Sequence, residues 1–180
     1  MRADAQRNRE RILQAAETVF AERGASASTE DVAELAGVAI GTVFRHFPTK
    51  KDLLQAIIKN VMTRLVAEAS KLISEGDPAN TLFVFFEYFV AEAASKKTVV
   101  DLLADTGLAI EVTEPVQRFR DAVGELLGTV QKSGAARPDV RVDEVLALLT
   151  ATSQGALRAG WDADLQRRTL AIVFAGLRPA

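Results

Sequence analysis

The sequence contains no cysteine, one histidine and one tryptophan, and only five prolines and eleven glycines interrupt its 180 residues. Without cysteine there can be no disulfide, thiolate metal site or cysteine nucleophile, a composition compatible with the reducing cytosol. No stretch approaches the ~18 uncharged apolar residues of a membrane span. The opening MRADAQRNRERILQAAETVF lacks the apolar core of a secretion signal. A cytoplasmic protein with no membrane partner is therefore expected. Neither sign of charge dominates: 22 Lys+Arg against 24 Asp+Glu leave a net charge of −2, which on average argues against a phosphate backbone as partner. The 48% of hydrophobic residues suffices for an ordinary core.

Between the prolines and glycines, apolar residues recur at spacings of three and four, the period of a helix, and strand-like alternation is nearly absent. Ile12, Leu13, Ala16, Val19 and Phe20 define a first helix of about 7–23, ended by Arg23 and Gly24. Ser28 is placed to cap a short second helix, with Asp31 as the reciprocal carboxylate and Val32 and Leu35 facing inward; Gly37 stops it. Ile40 to Phe47 predict another short helix closed by Pro48. Thr49 and Asp52 then open a long stripe from Leu53 to Ile73, and a helix over about 50–75 would span ~39 Å. Asp77 and Pro78 mark the next start, and further helices follow at about 79–96, near 98–105, 114–132, 143–159 and 165–177. The reading is all-α, about nine helices: a three-helix head over 1–48, continuing into the connecting helix, and a larger helical-bundle body over 49–180.

Two short helices joined by a glycine-containing turn and preceded by a longer one describe a helix-turn-helix, whose second helix is suited to a DNA major groove. Ile12, Ala16, Phe20, Val32, Leu35, Val38, Val43 and Phe47 are expected to form its small core. Ala39, Ile40 and Gly41 open the second helix with little bulk, so its backbone can approach a phosphate or groove edge. Arg45 suits a bidentate contact with guanine, while Thr42 and Ile40 suit a thymine methyl. Thr29, Thr49 and Lys50, at or near helix starts, fit contacts to the DNA backbone, ordinary caps and a solvated lysine being the alternative. His46 either meets phosphate or shields Phe47. With Ser28, these residues are the DNA-binding candidates. Arg2, Arg7, Arg9 and Arg11 suggest an arm ahead of the first helix that follows DNA, a frayed terminus being the alternative.

The segment Ser28 to Leu54 resembles the N-terminal domain of tetracycline-repressor-type (TetR family) regulators. The resemblance extends from Ile12 to Ile57 and includes Phe-Ala-Glu-Arg-Gly at 20–24, Ala-Gly-Val at 36–38, Gly-Thr at 41–42 and the aromatic-x-x-Phe at 44–47. Ala39 stands where the family often has serine, Phe44 where it usually has tyrosine and Lys51 where it often has glutamate. Gly-Trp-Asp at 160–162 and Gly-Leu-Arg-Pro at 176–179 are similar to the C-terminal body of one actinobacterial-type subgroup. The resemblance favours a phosphate contact for His46. It implies a ligand-responsive regulator, a homodimeric repressor released from a palindromic double-stranded operator by a small inducer bound between helices of the body. The ligand-binding candidates are then Met62, Leu65, Val66, Phe86, Phe89, Val90, Leu103, Phe119 and Val123, a mostly apolar set that suits an apolar inducer.

Five aromatics fall between 83 and 89 (Phe83, Phe85, Phe86, Tyr88 and Phe89), too many for one helix face, so they must serve the core and a second apolar surface. Near the end of the chain, Val145, Leu148, Leu149, Thr152, Ala156 and Ala159, with the small Ala147, Ala151, Ser153 and Gly155, form one stripe, and Leu165, Leu170, Val173, Phe174 and Leu177 another. Two such helices from each of two chains would make a four-helix dimer interface through about 143–177, intramolecular packing being the alternative.

An enzyme is not expected. There is no metal-protease, P-loop or dinucleotide motif, no cofactor or metal is implied, and Glu87, Glu92, Asp101 and Asp105 read as solvated carboxylates. An all-helical interaction module with a vestigial helix-turn-helix is the competing reading, since Ala39 and Phe44 lack hydroxyls that meet phosphate. The net charge does not decide between them. Residues 1–60 hold nine basic and eight acidic side chains, and 61–180 hold thirteen and sixteen, so the cations of the head are diluted by an acidic body.

Overall fold

The computed structural model describes residues 2–95 and 113–179, and every described element of regular structure is helical. In order these are α1 (Arg2–Arg23), a 3-10 turn (Gly24–Ser26), α2 (Thr29–Ala36), α3 (Ile40–His46), α4 (Lys50–Glu75), α5 (Thr81–Ser95), α6 (Thr113–Lys132), α7 (Val142–Ala159) and α8 (Ala163–Leu177). The short helix read near 98–105 lies outside the described residues. Among the described residues no helix is long and apolar enough to cross a membrane. Two compact units emerge: one ends at Val61, and the other holds Met62–Ser95 and the chain from Thr113 onward.

In the first unit, local chemistry fixes the helix ends. Gly24 and Gly37 take φ of +61° and +63°, where a side chain is strained, and Gly37 closes α2 by donating its N–H to Ala33 O and Glu34 O. Ser28 caps the start of α2, its Oγ accepting from Asp31 N at 3.1 Å while Ser28 N donates to Asp31 Oδ2 at 3.0 Å. Thr49 and Asp52 repeat the arrangement at α4, with Asp52 N donating to Thr49 Oγ1 at 3.1 Å and Thr49 N to Asp52 Oδ2 at 3.0 Å. The core beneath gathers Ile12, Ala16, Phe20, Val32, Val43, Phe47, Leu53, Leu54 and Ile57, with Val38 packed against it. Each large side chain fully buried here contributes about 1.5–3 kcal/mol.

Two expectations are corrected in this unit. Leu35 is 56% exposed, not inward-facing: Val32, Ala33 and Ala36 already fill the buried face of this eight-residue helix. Helix α1 starts at Arg2 rather than about residue 7, so the described arginines belong to its first turns and not to an arm ahead of it.

The second unit is a helical bundle around α5. Its start lies two residues later than expected, because Asp77 first organises a turn: Asp77 Oδ1 accepts from Ala79 N at 3.1 Å, and Thr81 N donates to Asp77 O. The aromatic run divides as its spacing demands. Phe83 and Phe86 pack on Phe174 of α8 with ring centroids 5.0 and 5.5 Å away, while Phe85 and Phe89 lie 6.2 and 5.5 Å from Phe119 of α6. Gly160 (φ +60°) ends α7, and Asp162 caps α8 by accepting from Leu165 N at 2.8 Å.

Most of the two stripes expected at an oligomer surface is turned inward, while Ala159 and Leu165 remain exposed. Val145, Leu149, Thr152 and Ala156 of α7, which packs on α5, and Leu170, Phe174 and Leu177 of α8 are buried within the chain, Phe174 against Phe83 and Phe86 of α5. Gly155 likewise serves the chain itself: a Cβ there would come within 3.0 Å of the Trp161 ring.

Candidate nucleic-acid interface

Helix α3 has seven residues, and within its bounds only Val43 is buried. Phe47, its C-cap, anchors the other end in the core, donating its N–H to Val43 O at 2.8 Å. The rest of the helix is available outward. Ile40 and Phe44, one turn apart, are 37% and 45% exposed, Gly41 and Arg45 are exposed beside them, and Thr42 and His46 are half-buried. His46 lies 6.3 Å from the Phe47 ring, tilted by 45°. Ala39 is the N-cap of α3 and has no side-chain cap bond.

Among the described residues nothing requires a glycine at position 41. An added Cβ would meet no atom within 4 Å, and its φ is not in the left-handed region. In the first turn of α3 the glycine leaves the exposed start of the helix without a side chain beside Ile40 and Thr42.

The remaining candidates flank α3. Ser28 Oγ is engaged in its cap, and Thr29 Oγ1 lies 3.3 Å from Glu30 Oε2. Thr49 Oγ1 donates to Asp52 Oδ2 at 2.7 Å. Lys50 turns its ammonium toward the head, donating to Ala27 O at 2.8 Å and lying 5.3 Å from the Phe20 ring centroid. Asp31, bonded by the backbone N–H and hydroxyl of Ser28 and paired with Arg23, has its carboxyl held below the usual aspartate range.

A profile of bacterial regulatory proteins of the tetR family matches residues 12–57, and one described as the SbtR-like transcriptional regulator C-terminal domain matches 77–179, more than half of the chain. The chain belongs to the TetR family of transcriptional regulators. A TetR regulator from Mycobacterium vanbaalenii superposes with a TM-score of 0.81 at 36% identity, covering 99% of each chain. Another from Streptomyces coelicolor gives 0.78 at 30%, covering 96% of this chain and 99% of that one. The repressor BepR of Brucella suis is 28% identical over 97% of this chain and 80% of its own length. As a TetR-family protein, the chain is a DNA-binding regulator and not an enzyme.

The TetR-family head contains a feature that was not singled out from the sequence. Phe44 registers there as a missing hydroxyl, whereas in the structure it forms an exposed apolar ridge with Ile40. The i, i+4 spacing on a helix whose other face carries Val43 and Phe47 was the available signal.

In the body, Leu65, Phe86, Val90, Phe119 and Val123 are buried, and Met62, Val66 and Phe89 are half-buried; Leu103, Asp101 and Asp105 lie outside the described residues. The set does not share one surface of α5, since Phe86 packs on Phe174 and Phe89 stacks on Phe119. Tyr88 beside Phe89 has its hydroxyl pushed up by burial and by Glu92 and Glu68. An open groove of about 660 Å³, lined by Ile73, Arg120, Gly124, Gly128 and Val142 among others, includes none of the candidates.

Proposed function

We propose that the chain is a homodimeric repressor that binds a palindromic operator in the cytoplasm and is released by an apolar small molecule. The observation that carries the DNA half is the outward face of α3, where Arg45 stands beside a glycine that the fold does not need. Arg45 would read a guanine, and Ile40 with Phe44 the methyls of neighbouring thymines. Thr29, Thr49, Lys50 and His46 would meet backbone phosphates, and Ser28, Ala39, Gly41 and Thr42 would line the approach. The name of the Brucella relative supports repression as the sign of regulation.

Residues 1–48, continuing into α4, would form the DNA-binding domain, and 49–180 the ligand and dimerisation domain. The dimer would form through about 143–177, by the face of α7 and α8 opposite the buried stripes. Leu165 and Ile172 are 48% and 75% exposed there, with Ala147 and Ala151 also exposed. Large apolar side chains so exposed on a helix pair mark an interaction surface. The inducer would lie against the half-buried Met62, Val66 and Phe89, with Leu65, Phe86, Val90, Phe119 and Val123 behind them and Leu103 as a further candidate.

Selection of bound duplexes from a random pool tests this reading. Enrichment of an inverted repeat with half-site centres about one helical turn apart is the expected result. A pool that shows no enriched sequence contradicts it.

A further inference from the structure

Two arginines of α1 that look from the sequence like cations for DNA are engaged by the helix-turn-helix itself. The Arg11 guanidinium donates through Nη2 to Ala36 O at 2.5 Å and to Gly37 O at 3.3 Å. Ala36 is the last residue of α2 and Gly37 its left-handed cap, so Arg11 holds the turn from which α3 departs. A cation at a helix C-terminus also meets the negative end of the helix dipole. Two residues earlier, the Arg9 guanidinium carbon lies 5.3 Å from the centroid of the Phe47 ring, at the far end of α3. Gly37 completes the arrangement, because a Cβ there would come within 2.9 Å of Arg11 Nη2.

These contacts bear on α3 in particular. A seven-residue helix that buries only Val43 within its bounds packs mainly on α2, so its tilt follows the α2–α3 turn and the C-cap Phe47. Arg11 reaches that turn and Arg9 the C-cap Phe47, so α1 touches both flanks of α3.

We infer that Arg9 and Arg11 are positioning residues for the recognition helix and not phosphate contacts: Arg11 braces the turn that leads into α3 and Arg9 the residue that caps its end, and together they help set the angle at which Arg45, Ile40 and Phe44 meet the bases. The inference rests on the reading that α3 enters the operator groove. It predicts a loss of discrimination, because a tilted α3 misplaces base contacts and leaves the phosphate contacts in number as they were.

The test compares wild type, Arg9→Ala and Arg11→Ala on the selected operator and on a scrambled duplex of equal length, across a salt series, at a temperature where circular dichroism melts show each protein folded. Arg11→Ala is expected to lose about tenfold in operator affinity, the scale of one charge-assisted hydrogen bond. Its affinity for the scrambled duplex and its salt slope should match wild type, and Arg9→Ala should show the same pattern at smaller size. Equal loss on both duplexes, with the slope shallower by ~1, would make these arginines phosphate contacts and overturn the inference. A lowered melting temperature with unchanged operator preference would overturn it too, leaving only a stabilising role. If wild type itself fails to prefer the operator, the reading of α3 fails first.

Discussion

Ser28 and Asp31 cap one another: the serine hydroxyl accepts from the aspartate N–H at 3.1 Å, and the aspartate carboxylate accepts from the serine N–H at 3.0 Å. The pair satisfies two of the backbone donors that the start of α2 would otherwise leave open. Because the bonds favour the ionised carboxylate, the Asp31 pKa is lowered on folding. Its contribution to stability is therefore full above the unfolded aspartate range, near pH ~4, and is lost as pH falls through the lowered folded value. Thermal melts across an acid series should show the wild-type midpoint falling in that window. Asp31→Asn should start lower at neutral pH and fall less steeply. Ser28→Ala should cost about 1 kcal/mol.

Gly37 and Gly41 should respond oppositely to alanine. Gly37→Ala places a side chain at φ +63° and against Arg11, and should destabilise the protein by about 1–2 kcal/mol. Gly41→Ala meets no neighbour and gains helix propensity, so it should leave stability unchanged or raise it by up to ~1 kcal/mol. Operator binding by Gly41→Ala should nevertheless weaken. Denaturant melts and DNA titration on the same two variants check all three statements.

Phe174 receives both Phe83 and Phe86. Phe174→Ala should cost about 3–5 kcal/mol by opening a cavity against α5. A guanidinium midpoint close to wild type would show that these rings do not form the centre of the body.

Ile172 is the most exposed large apolar residue described. Ile172→Glu should leave the fold intact and produce a monomer in sedimentation analysis, with operator affinity falling because two linked half-site contacts become one. A dimer of unchanged stability would move the interface elsewhere.

What was legible in the sequence was local. The caps at Ser28 and Thr49, and the stops at Gly24 and Gly37, depend on residues within one turn and agree with the structure. The division of Phe83 to Phe89 between two neighbours follows from helical spacing alone. Partners distant in sequence were not legible. Arg11 finds Ala36 25 residues away and Lys50 finds Ala27 23 away, contacts within the head that composition and periodicity do not show. Periodicity also failed to choose a face for α7 and α8. Both faces carry apolar or small residues, and only the demand of α5 for a partner shows that Leu149 and Phe174 turn in while Ile172 turns out. Gly155 shows the same limit, since its smallness makes room for Trp161 of the same chain.

The central claim is that α3, presented by two chains at once, reads a palindrome. Titrating a fluorescent palindromic duplex with wild type and Arg45→Ala over a salt series tests it most directly. The expected result is two chains bound per palindrome, an affinity that falls as salt rises, and a loss of about 1–3 kcal/mol per half-site in Arg45→Ala that is specific to the selected sequence. Binding by a single chain, or an Arg45→Ala protein that reads the palindrome as well as wild type does, would contradict it.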